Sequence, residues 1–511
     1  MQSDSGAPRG VDSAAVDACI ALLRELAADR RRLDALAPDT RRALLVAAGR
    51  LSRPHRDELI AAARARRRAE RRERKRQDLA LLAATEIRAA QRSSIYVPPR
   101  LQLADGDGDL GRELHEPRAC YVCKAPYRRV HFFYHAMCPD CARLNYHKRH
   151  QTADLRGRVA LVTGARVKIG YQIALMLLRA GARVVATTRF PHDAAARYAR
   201  EEDHVDWADR LEIHGLDLRH APSVELFAGA LDRRLDRLDF LINNAAQTVR
   251  RPPAFYAHLL AGERRPLAEL PEPERRLVAA HAELRAELAS GGGGGDPSPA
   301  EGIVAWRGAA VGLSAAPLLS QLPLTPEDHE HAGFPAGELD PDLQQVDRRR
   351  VNSWRLGLAD VSTPELLEVH LVNAIAPFIL NSRLKPLMSR RPTGDRHIVN
   401  VSAMEAQFSR NKKTDKHPHT NMAKAALNMM TRTSAVDYVA SGIHMNSVDT
   451  GWVTDEDPLH HVDRKQAVHD FHPPLDAVDG AARVLDPIFT GLATGHHMWG
   501  LFLKDYRPVD W

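Results

Sequence analysis

The spacing of apolar residues changes character once along the chain. Between Val11 and Arg92 they recur every three or four positions, as in "ACIALLREL", "RRALLVAAGRL" and "DLALLAATEI", which predicts three or four helices. Beyond Arg156, short apolar runs such as "RVALVTG", "RVVATTR", "LDFLINNAA" and "HIVNVSA" alternate with helical segments such as "YQIALMLLRAGA". Strands that alternate with helices predict an α/β fold with a parallel sheet and right-handed crossovers.

Composition marks the boundaries between these parts. Residues 1–95 form a basic helical region, and residues 96–117, rich in Pro, Gly and Asp, are predicted to be a linker. The α/β pattern occupies residues 156–511 but is interrupted by an insertion over residues 249–352. This insertion contains one amphipathic helical segment and a glycine-rich run, residues 290–298, which is predicted to be a disordered loop.

The bulk composition indicates a globular protein of several units. The chain has 511 residues, of which 44% are hydrophobic and 27% charged, and its length favours two to four units. No run of eighteen apolar residues occurs, and the first ten residues lack the apolar core of a signal peptide. We therefore expect a soluble, cytoplasmic protein without a membrane segment.

Positive charge is concentrated in the N-terminal part. Residues 1–150 contain 30 Lys and Arg against 19 Asp and Glu, whereas the remainder contains 42 against 46. Residues 64–76, "RARRRAERRERKR", have nine basic and two acidic side chains. This stretch predicts either a surface for a nucleic acid or an acidic protein, or only the solvated face of a long helix. Both interpretations stay open.

Four of the five cysteines are clustered. Two C-x2-C pairs, separated by fourteen residues, lie in a segment that we place at residues 118–150; they are Cys120, Cys123, Cys138 and Cys141. Each pair points two thiolates at one tetrahedral ion, so the spacing predicts a closed structural zinc site. Cys19 lies apart in a helical pattern and is predicted to be a buried, inert thiol.

A glycine motif follows the first strand of the α/β part. "VTGARVKIGYQIA", residues 162–174, ends a strand and opens a helix, which is the context of a dinucleotide-binding loop. The segment resembles the TGxxxGxG motif of the short-chain dehydrogenase/reductase family, with Lys168 in place of the middle glycine. The resemblance implies that the following residues contact a cofactor: Thr163, Gly164, Arg166, Lys168, Ile169 and Gly170.

Three later pieces occur in the same order as in that family. "GLDLRH" supplies a pair that would contact adenine, "INNAA" a turn beside the cofactor, and "LLEVHLVNAIAPF" a helix asparagine. The residues are Asp217, Leu218, Asn243, Asn244, Ala245 and Asn373. The resemblance covers about residues 156–248 and 353–511. It implies a Rossmann-type doubly wound parallel sheet and, as in relatives, a homodimer or homotetramer unless the insertion blocks that assembly.

The end of the second strand bears on cofactor choice. An enzyme specific for NAD places an acidic residue there to bind the ribose hydroxyls. In "VVATTRF" that position holds Thr188, and Arg189 follows it. An arginine suits the 2′-phosphate of NADP, so NADP(H) is favoured over NAD(H).

The catalytic motif of the family is altered. "HPHTNMAK", residues 417–424, resembles Tyr-x-x-x-Lys, with Lys424 retained and Thr420 where the tyrosine belongs. Ser402 is present, although the family's serine usually takes the next place. His419 is an alternative proton donor because imidazole titrates near neutrality. The implied catalytic set is Lys424, Asn373, Ser402, Thr420 and His419, while Gly451 belongs to a loop that borders the nicotinamide.

Three functions follow from these features. The first is a divergent NADP(H)-dependent oxidoreductase for an unspecified carbonyl or alcohol substrate. The second is a catalytically inactive dinucleotide-binding scaffold or sensor. The third is a nucleic-acid-associated protein that docks through the zinc module and basic helices. The insertion leaves the edge of the sheet where ligands bind, so residues 250–260 are expected near the cofactor.

Overall fold

We analysed a computed structural model of the chain, which describes residues 12–53, 55–95, 97, 108–290, 308–409 and 413–511. The chain divides into two compact units, one ending at Gln77 and the other beginning at Asp78. The predicted glycine-rich loop lies, apart from Ser290, outside the described residues.

The first unit is helical, as predicted. Its helices are α1 (Ser13–Ala28), α2 (Arg30–Asp34), α3 (Pro38–Ser52) and the first part of α4 (Arg56–Ala83). None of α1, α2 and α3 contains a buried residue. The prediction for Cys19 was therefore wrong: its side chain is exposed, because α1 packs no side chain into a core.

The second unit begins earlier than residue 95, where the sequence placed the end of the helical region. The end of α4 and helix α5 (Glu86–Gln91) belong to it. The reason is burial: Leu82 and Ile87 are fully buried among aromatic residues of the cysteine module.

The predicted linker, residues 96–117, overlaps a strand. Strand β1 (Asp109–Ala119) runs through its second half and pairs antiparallel with β2 (Pro126–His131). Glycine and proline signals favoured a linker, but the partner strand and the irregular register between the two strands accommodate them. Helix α6 (Pro139–Arg149) completes the module.

The second unit contains the predicted doubly wound sheet. Its strands are β3 (Val159–Thr163), β4 (Arg183–Thr188), β5 (Leu211–Gly215), β6 (Phe240–Asn243), β7 (Arg396–Ser402), β8 (Ile443–Asp449), β9 (Phe502–Lys504) and β10 (Arg507–Val509). The strand order is β10-β9-β8-β7-β6-β3-β4-β5. Among the described strands of this sheet, β9 and β10 pair antiparallel and the other neighbours pair parallel. The order reverses between β3 and β6, so the carboxyl ends there form the crevice where ligands bind in such sheets.

Helices cover both faces of the sheet. The α-helices of this part of the chain, as far as the described residues give their bounds, are α7 (Lys168–Arg179), α8 (Pro191–Tyr198), α9 (Ala221–Arg234), α10 (Pro253–Tyr256), α11 (Leu260–Glu263), α12 (Glu272–Ser290), α13 (Val311–Ser314), α14 (Ala316–Leu319), α15 (Thr363–His370), α16 (Ala376–Ser389), α17 (Pro418–Val439), α18 (Leu459–His469) and α19 (Ala477–Thr494). One apolar core joins the sheet to α7, α8 and α19. A second joins the other face to α9, α16 and α17.

Part of the insertion packs against the sheet. Helix α12 lies against β5, the edge strand, and contributes Leu277 and Val278 to the first core. A side chain at Gly215 of β5 would meet His281 of α12 at 2.8 Å. The insertion therefore protects a sheet edge whose unpaired backbone groups would otherwise be exposed.

The cysteine module is fixed to the sheet through buried charge. Arg149 of α6 makes hydrogen bonds of 2.6 and 2.7 Å to Asp476, at the start of α19, and lies 3.1 Å from Asp479. Tyr134 donates to Asp479 at 2.5 Å. These groups are fully or nearly fully buried, so each charge depends on its partner.

Candidate active site

The turn between β3 and α7 lies very close to the turn after β6. Gly164 has a φ of +66°, and a Cβ there would lie 2.8 Å from the Cα of Ala245. A Cβ on Gly170 would lie 2.2 Å from the Gly164 carbonyl oxygen and 2.3 Å from Asn244 Nδ2. Both positions therefore require glycine. The turn leads into the N-terminus of α7, where free N–H groups and the helix dipole favour a phosphate.

Lys168 adopts a backbone conformation that glycine takes more readily than other residues. Its φ is +54°, in the left-handed region, which costs an ordinary side chain about 1 kcal/mol. Its ammonium lies 3.9 Å from Asp342, a residue of the insertion. The departure from glycine thus keeps the backbone path of the loop and adds a cation beside it.

Side-chain amides fix the neighbouring turn after β6. Asn244 donates to the carbonyl oxygens of Thr163 at 3.0 Å and Gly164 at 3.3 Å, and the Ala245 N–H donates to Thr163 Oγ1 at 3.0 Å. Asn243 is buried beneath them and donates to Asn381 and Asn400, both at 2.8 Å. Thr163 and Asn243 therefore position the turn from below without lining the cavity.

Asn373 positions the same loop from the other side. It lies in a π-helical turn, Leu371–Ile375, between α15 and α16. Its side chain accepts from the Gln247 N–H at 2.7 Å and donates to the Gln247 carbonyl at 3.1 Å. Both ends of the amide are engaged with the backbone, and Asn373 does not line the cavity. Asn373 therefore positions the backbone of Gln247.

The carboxyl edge of the sheet carries a cavity of about 1220 Å³. It is lined by fifteen of the predicted site residues: Gly164, Arg166, Lys168, Ile169, Gly170, Thr188, Arg189, Asp217, Leu218, Asn244, Ala245, Ser402, Thr420, Lys424 and Gly451. The motifs that the sequence places far apart therefore converge on one space. Its volume is large enough for a dinucleotide together with a small molecule.

One end of the cavity carries Arg189. Its guanidinium lies over the ring of Tyr256, 4.5 Å from the ring centre, and donates to the Tyr256 hydroxyl at 2.5 Å. Among the described residues it forms no ion pair, whereas nearby Arg166 is held by Asp193 at 2.7 Å. Arg189 thus has no carboxylate within ion-pair distance among the described residues, although its charge contributes to lowering the pKa of Asp217. Tyr256 lies in residues 250–260, the part of the insertion expected near the cofactor.

Asp217 is engaged more fully than the sequence suggests. Burial favours its neutral form, but the charge and hydrogen bonds of Arg219, together with the charge of Arg189, outweigh this effect and hold the pKa of Asp217 below its usual value. Arg219 in turn reaches Glu368 at 2.6 Å. Thr188 accepts from the Phe190 N–H at 3.1 Å, which shapes the end of β4 beside Arg189.

Three of the predicted catalytic side chains lie at the other end of the cavity. Thr420 and Lys424 lie one turn apart on α17, and Ser402 ends the neighbouring strand β7. The Ser402 and Thr420 hydroxyls are buried and have no hydrogen-bond partner among the described residues. Lys424 donates to the Val401 carbonyl at 2.7 Å, and burial lowers the pKa of Lys424 to about 8.

His419 lies outside this group. It is 1% exposed, its Nε2 lies 3.3 Å from Glu365, and it does not line the cavity. Successive helix residues are about 100° apart, so its side chain and that of Thr420 leave α17 in different directions. His417 does line the cavity, with its ring stacked on Trp354 at 3.8 Å.

The sequence did not predict some of the residues that line the cavity near Ser402, Thr420 and Lys424. Tyr121, from the cysteine module, lines the cavity, and its hydroxyl accepts from the Trp452 N–H at 2.9 Å. A side chain at Gly451, whose φ is +76°, would meet that hydroxyl at 3.2 Å and Leu475 at 2.5 Å. The tyrosine lies within the C-x2-C motif, but nothing in that motif indicates which distant loop it contacts.

Polar side chains continue across the sheet beside Ser402. Ser402, Asp449 and Lys504 occupy paired positions on β7, β8 and β9. Lys504 lies 2.9 Å from Asp449, and its ammonium is 5.8 Å from the centre of the Tyr121 ring. Neighbouring strands are about 4.8 Å apart, so this row of side chains extends from Ser402 to Tyr121 of the cysteine module.

The four clustered cysteines form a candidate metal site. The Sγ atoms of Cys120, Cys123, Cys138 and Cys141 all lie within 4.8 Å of one another. The first pair lies on the turn between β1 and β2, where Lys124 takes a φ of +64°, and Cys138 precedes α6. Four thiolates at these separations fit one tetrahedral zinc ion with a closed coordination shell.

Within the part of the chain that the structure describes, no helix is long and apolar enough to cross a membrane.

Two family models match the chain. Residues 158–258 match the short chain dehydrogenase model, and residues 352–473 match the model described as enoyl-(acyl carrier protein) reductase. Residues 259–351 lie between the two matched segments, within the predicted insertion.

Curated relatives fall into two groups. An uncharacterised protein of Acanthamoeba polyphaga mimivirus is 31% identical over 388 residues, which are 73% of this chain and 71% of that protein. Dehydrogenase/reductase SDR family member 13 of Bos taurus is 44% identical over 95 residues, 18% of this chain and 24% of the relative. A rhamnolipid-biosynthesis 3-oxoacyl-[acyl-carrier-protein] reductase of Pseudomonas aeruginosa is 40% identical over 102 residues, 19% of this chain and 36% of the relative. The matches to these two named enzymes thus span only about a quarter to a third of their length.

Solved structures include NADPH-bound carbonyl reductase from chicken fatty liver, with a TM-score of 0.40, 17% identity, and coverage of 70% of this chain and 100% of that one. A short-chain dehydrogenase of Burkholderia cenocepacia in complex with NADP has a TM-score of 0.40, 18% identity, and coverage of 69% and 97%.

The two matched segments carry the glycine turn, the asparagine turn and the lysine of α17 that converge on the cavity. The chain belongs to the short-chain dehydrogenase/reductase family.

Proposed function

We propose that the protein is an NADP(H)-dependent oxidoreductase that interconverts a carbonyl and an alcohol on a small molecule. The observation that carries this proposal is the convergence of two ends in one cavity. The glycine turn before α7 lies at one end, and Ser402, Thr420 and Lys424 lie at the other. A dinucleotide phosphate fits the first end, and a reacting oxygen fits the second.

The preference for NADP(H) rests on Arg189. Its guanidinium forms no ion pair with a described residue, and Tyr256 holds it at the cavity wall. A 2′-phosphate would gain charge-assisted hydrogen bonds there, worth about 1.5 to 3 kcal/mol.

The test is Arg189→Ala, with Arg183→Ala at the other end of the same strand as the matched control. We expect the Kd for NADPH to rise about 10- to 100-fold in Arg189→Ala, while the Kd for NADH stays unchanged. Arg183→Ala should alter neither value. An equal loss for both cofactors would show that Arg189 does not select the 2′-phosphate.

A bound nicotinamide supplies or accepts the hydride. The buried hydroxyls of Ser402 and Thr420 hold the substrate oxygen, because each has hydrogen-bonding capacity that the described residues leave unused. Thr420 stands where the family's tyrosine belongs, and its hydroxyl is a much weaker acid than a phenol, whose pKa is about 10. Thr420 therefore orients the oxygen rather than protonating it.

Lys424 is the better proton source in this cavity. Its pKa is lowered to about 8 by burial, so it carries a proton at neutral pH and releases it more readily than an exposed lysine. Reduction should therefore be sustained below pH 8 and fall above it, as Lys424 becomes neutral. The reverse direction, alcohol oxidation, should gain from the neutral form.

Turnover is measured as loss of NADPH absorbance over a panel of aldehydes and ketones. We expect turnover with at least one carbonyl, a loss of at least about 100-fold in Lys424→Ala, and a smaller loss in Thr420→Val, which removes only the hydroxyl. Lys385→Ala, in which the lysine lies outside the cavity, should behave as wild type.

A second candidate, a dinucleotide-binding scaffold without turnover, is favoured by the absence of a tyrosine four residues before Lys424. Tight NADPH binding without oxidation of any carbonyl in the panel would establish that function instead.

We also propose one structural zinc ion at the cysteine cluster. It would hold the turn that carries Tyr121 against the loop after β8, so the module forms part of the cavity wall. Metal analysis of the purified protein should give one zinc per chain, and a value far below one would reject the site.

A further inference from the structure

The basic stretch of α4 has two chemically different sides. All residues from 64 to 76 are exposed. Two of the nine cations pair with acidic residues on the same helix, Arg66 with Glu70 at 3.9 Å and Arg76 with Glu73 at 2.6 Å. The other seven form no ion pair with any described residue; they are Arg64, Arg67, Arg68, Arg71, Arg72, Arg74 and Lys75.

These seven cations lie on one face of the helix. Because successive residues of an α-helix are about 100° apart, all seven fall within an arc of about 160°. The ion-paired residues lie on the opposite side. The seven positions span about 17 Å along the helix axis. We call them the cationic face.

We propose that the cationic face binds the phosphate backbone of nucleic acid without reading base sequence. Duplex DNA carries one charge per about 1.7 Å of axis, so a 17 Å row of cations meets several phosphates at once. Arginine, which supplies six of the seven residues, forms bidentate hydrogen bonds to phosphate. No aromatic side chain lies in the stretch to stack on a base, which favours contacts to the backbone.

Two other polyanionic surfaces fit less well. An interfacial membrane helix needs an apolar side opposite its basic one, but the opposite side here carries Arg66, Glu70, Glu73 and Arg76. A protein partner is usually held by apolar or aromatic anchors, and the cationic face contains none. A regular array of phosphates needs neither.

The test measures binding of the full chain to a fluorescein-labelled 20-base-pair DNA duplex by anisotropy as salt is varied. Two double variants remove the same number of charges: Arg68→Gln with Arg71→Gln on the cationic face, and Arg66→Gln with Arg76→Gln on the opposite side. Circular dichroism of each variant checks that helix content is retained.

We expect salt-dependent binding in wild type, with a slope of log K against log salt as steep as about −6 if all seven cations engage. The first double variant should lower affinity about tenfold or more at low salt and reduce the slope by about 2. The second should bind within about twofold of wild type.

Equal losses in the two double variants would overturn the proposal, because net charge alone would then explain binding. Absence of binding at low salt would also overturn it. So would stronger binding to polyglutamate, or to phosphatidylserine vesicles, than to the duplex.

Discussion

Replacement of Gly170 by alanine tests the architecture of the cofactor turn. The added methyl group would lie 2.2 Å from the Gly164 carbonyl oxygen and 2.3 Å from Asn244 Nδ2. Neither neighbour can yield cheaply, because one is backbone and the other is held by hydrogen bonds to Thr163 and Gly164. The turn after β3 must therefore move away from the turn after β6.

The cost can be worked from the contacts that are lost. Overpacking of a buried site costs about 1 to 3 kcal/mol, and losing one of the Asn244 hydrogen bonds adds about 1 kcal/mol. The sum is about 2 to 4 kcal/mol, and even its lower value, expressed only in the cofactor-binding conformation, corresponds to about a 30-fold weaker NADPH affinity.

The assay is equilibrium titration of NADPH fluorescence, accompanied by thermal unfolding with and without the cofactor. Gly262→Ala in α11 is the matched control, because a Cβ there meets nothing within 4 Å. We expect the control to bind NADPH as wild type does and Gly170→Ala to bind about 30-fold more weakly. Unchanged affinity and unfolding temperature in Gly170→Ala would refute the assignment of this turn as the cofactor cradle.

Three further predictions concern charge and metal. Arg149→Met leaves two buried carboxylates without their cation, so unfolding by denaturant should show a loss of about 3 to 5 kcal/mol, whereas Arg156→Met, at an exposed ion pair, should leave stability almost unchanged. Lys424 has a folded pKa of about 8 against about 10.4 when unfolded, so its buried charge lowers stability below pH 8. This cost should disappear between pH 8 and 10, giving wild type a rise of up to about 3 kcal/mol that Lys424→Met lacks. Cys141→Ser should reduce bound zinc from one per chain to near zero and weaken turnover, because Tyr121 loses its support.

The fold and the convergence of the glycine and asparagine turns on one cavity could be predicted because their signals are local. The strand, the glycines and the helix of the turn are contiguous, and the spacing of Gly164 and Gly170 reflects a steric requirement that the structure displays directly. Lysine at position 168 would be expected to disturb this loop. It does not, because its backbone takes the left-handed conformation that glycine normally supplies.

The reacting end was harder to predict because it depends on long-range contacts. Tyr121 reaches Trp452 across 331 positions of sequence, and the cysteine pattern gives no information about that contact. His419 illustrates the opposite error: imidazole is a common proton donor in enzymes, but the phase of α17 directs this side chain away from the cavity. The prediction that Cys19 is buried was wrong for a similar reason, since an apolar helical pattern does not show whether the helix packs against a core.

The most direct test of the proposed function is a crystal structure of the protein with NADP⁺ bound. The account predicts the 2′-phosphate on Arg189, the pyrophosphate at the turn between Gly164 and Gly170, and the nicotinamide ring beside Ser402, Thr420 and Lys424. A dinucleotide bound elsewhere, or a nicotinamide ring directed away from those three side chains, would contradict it.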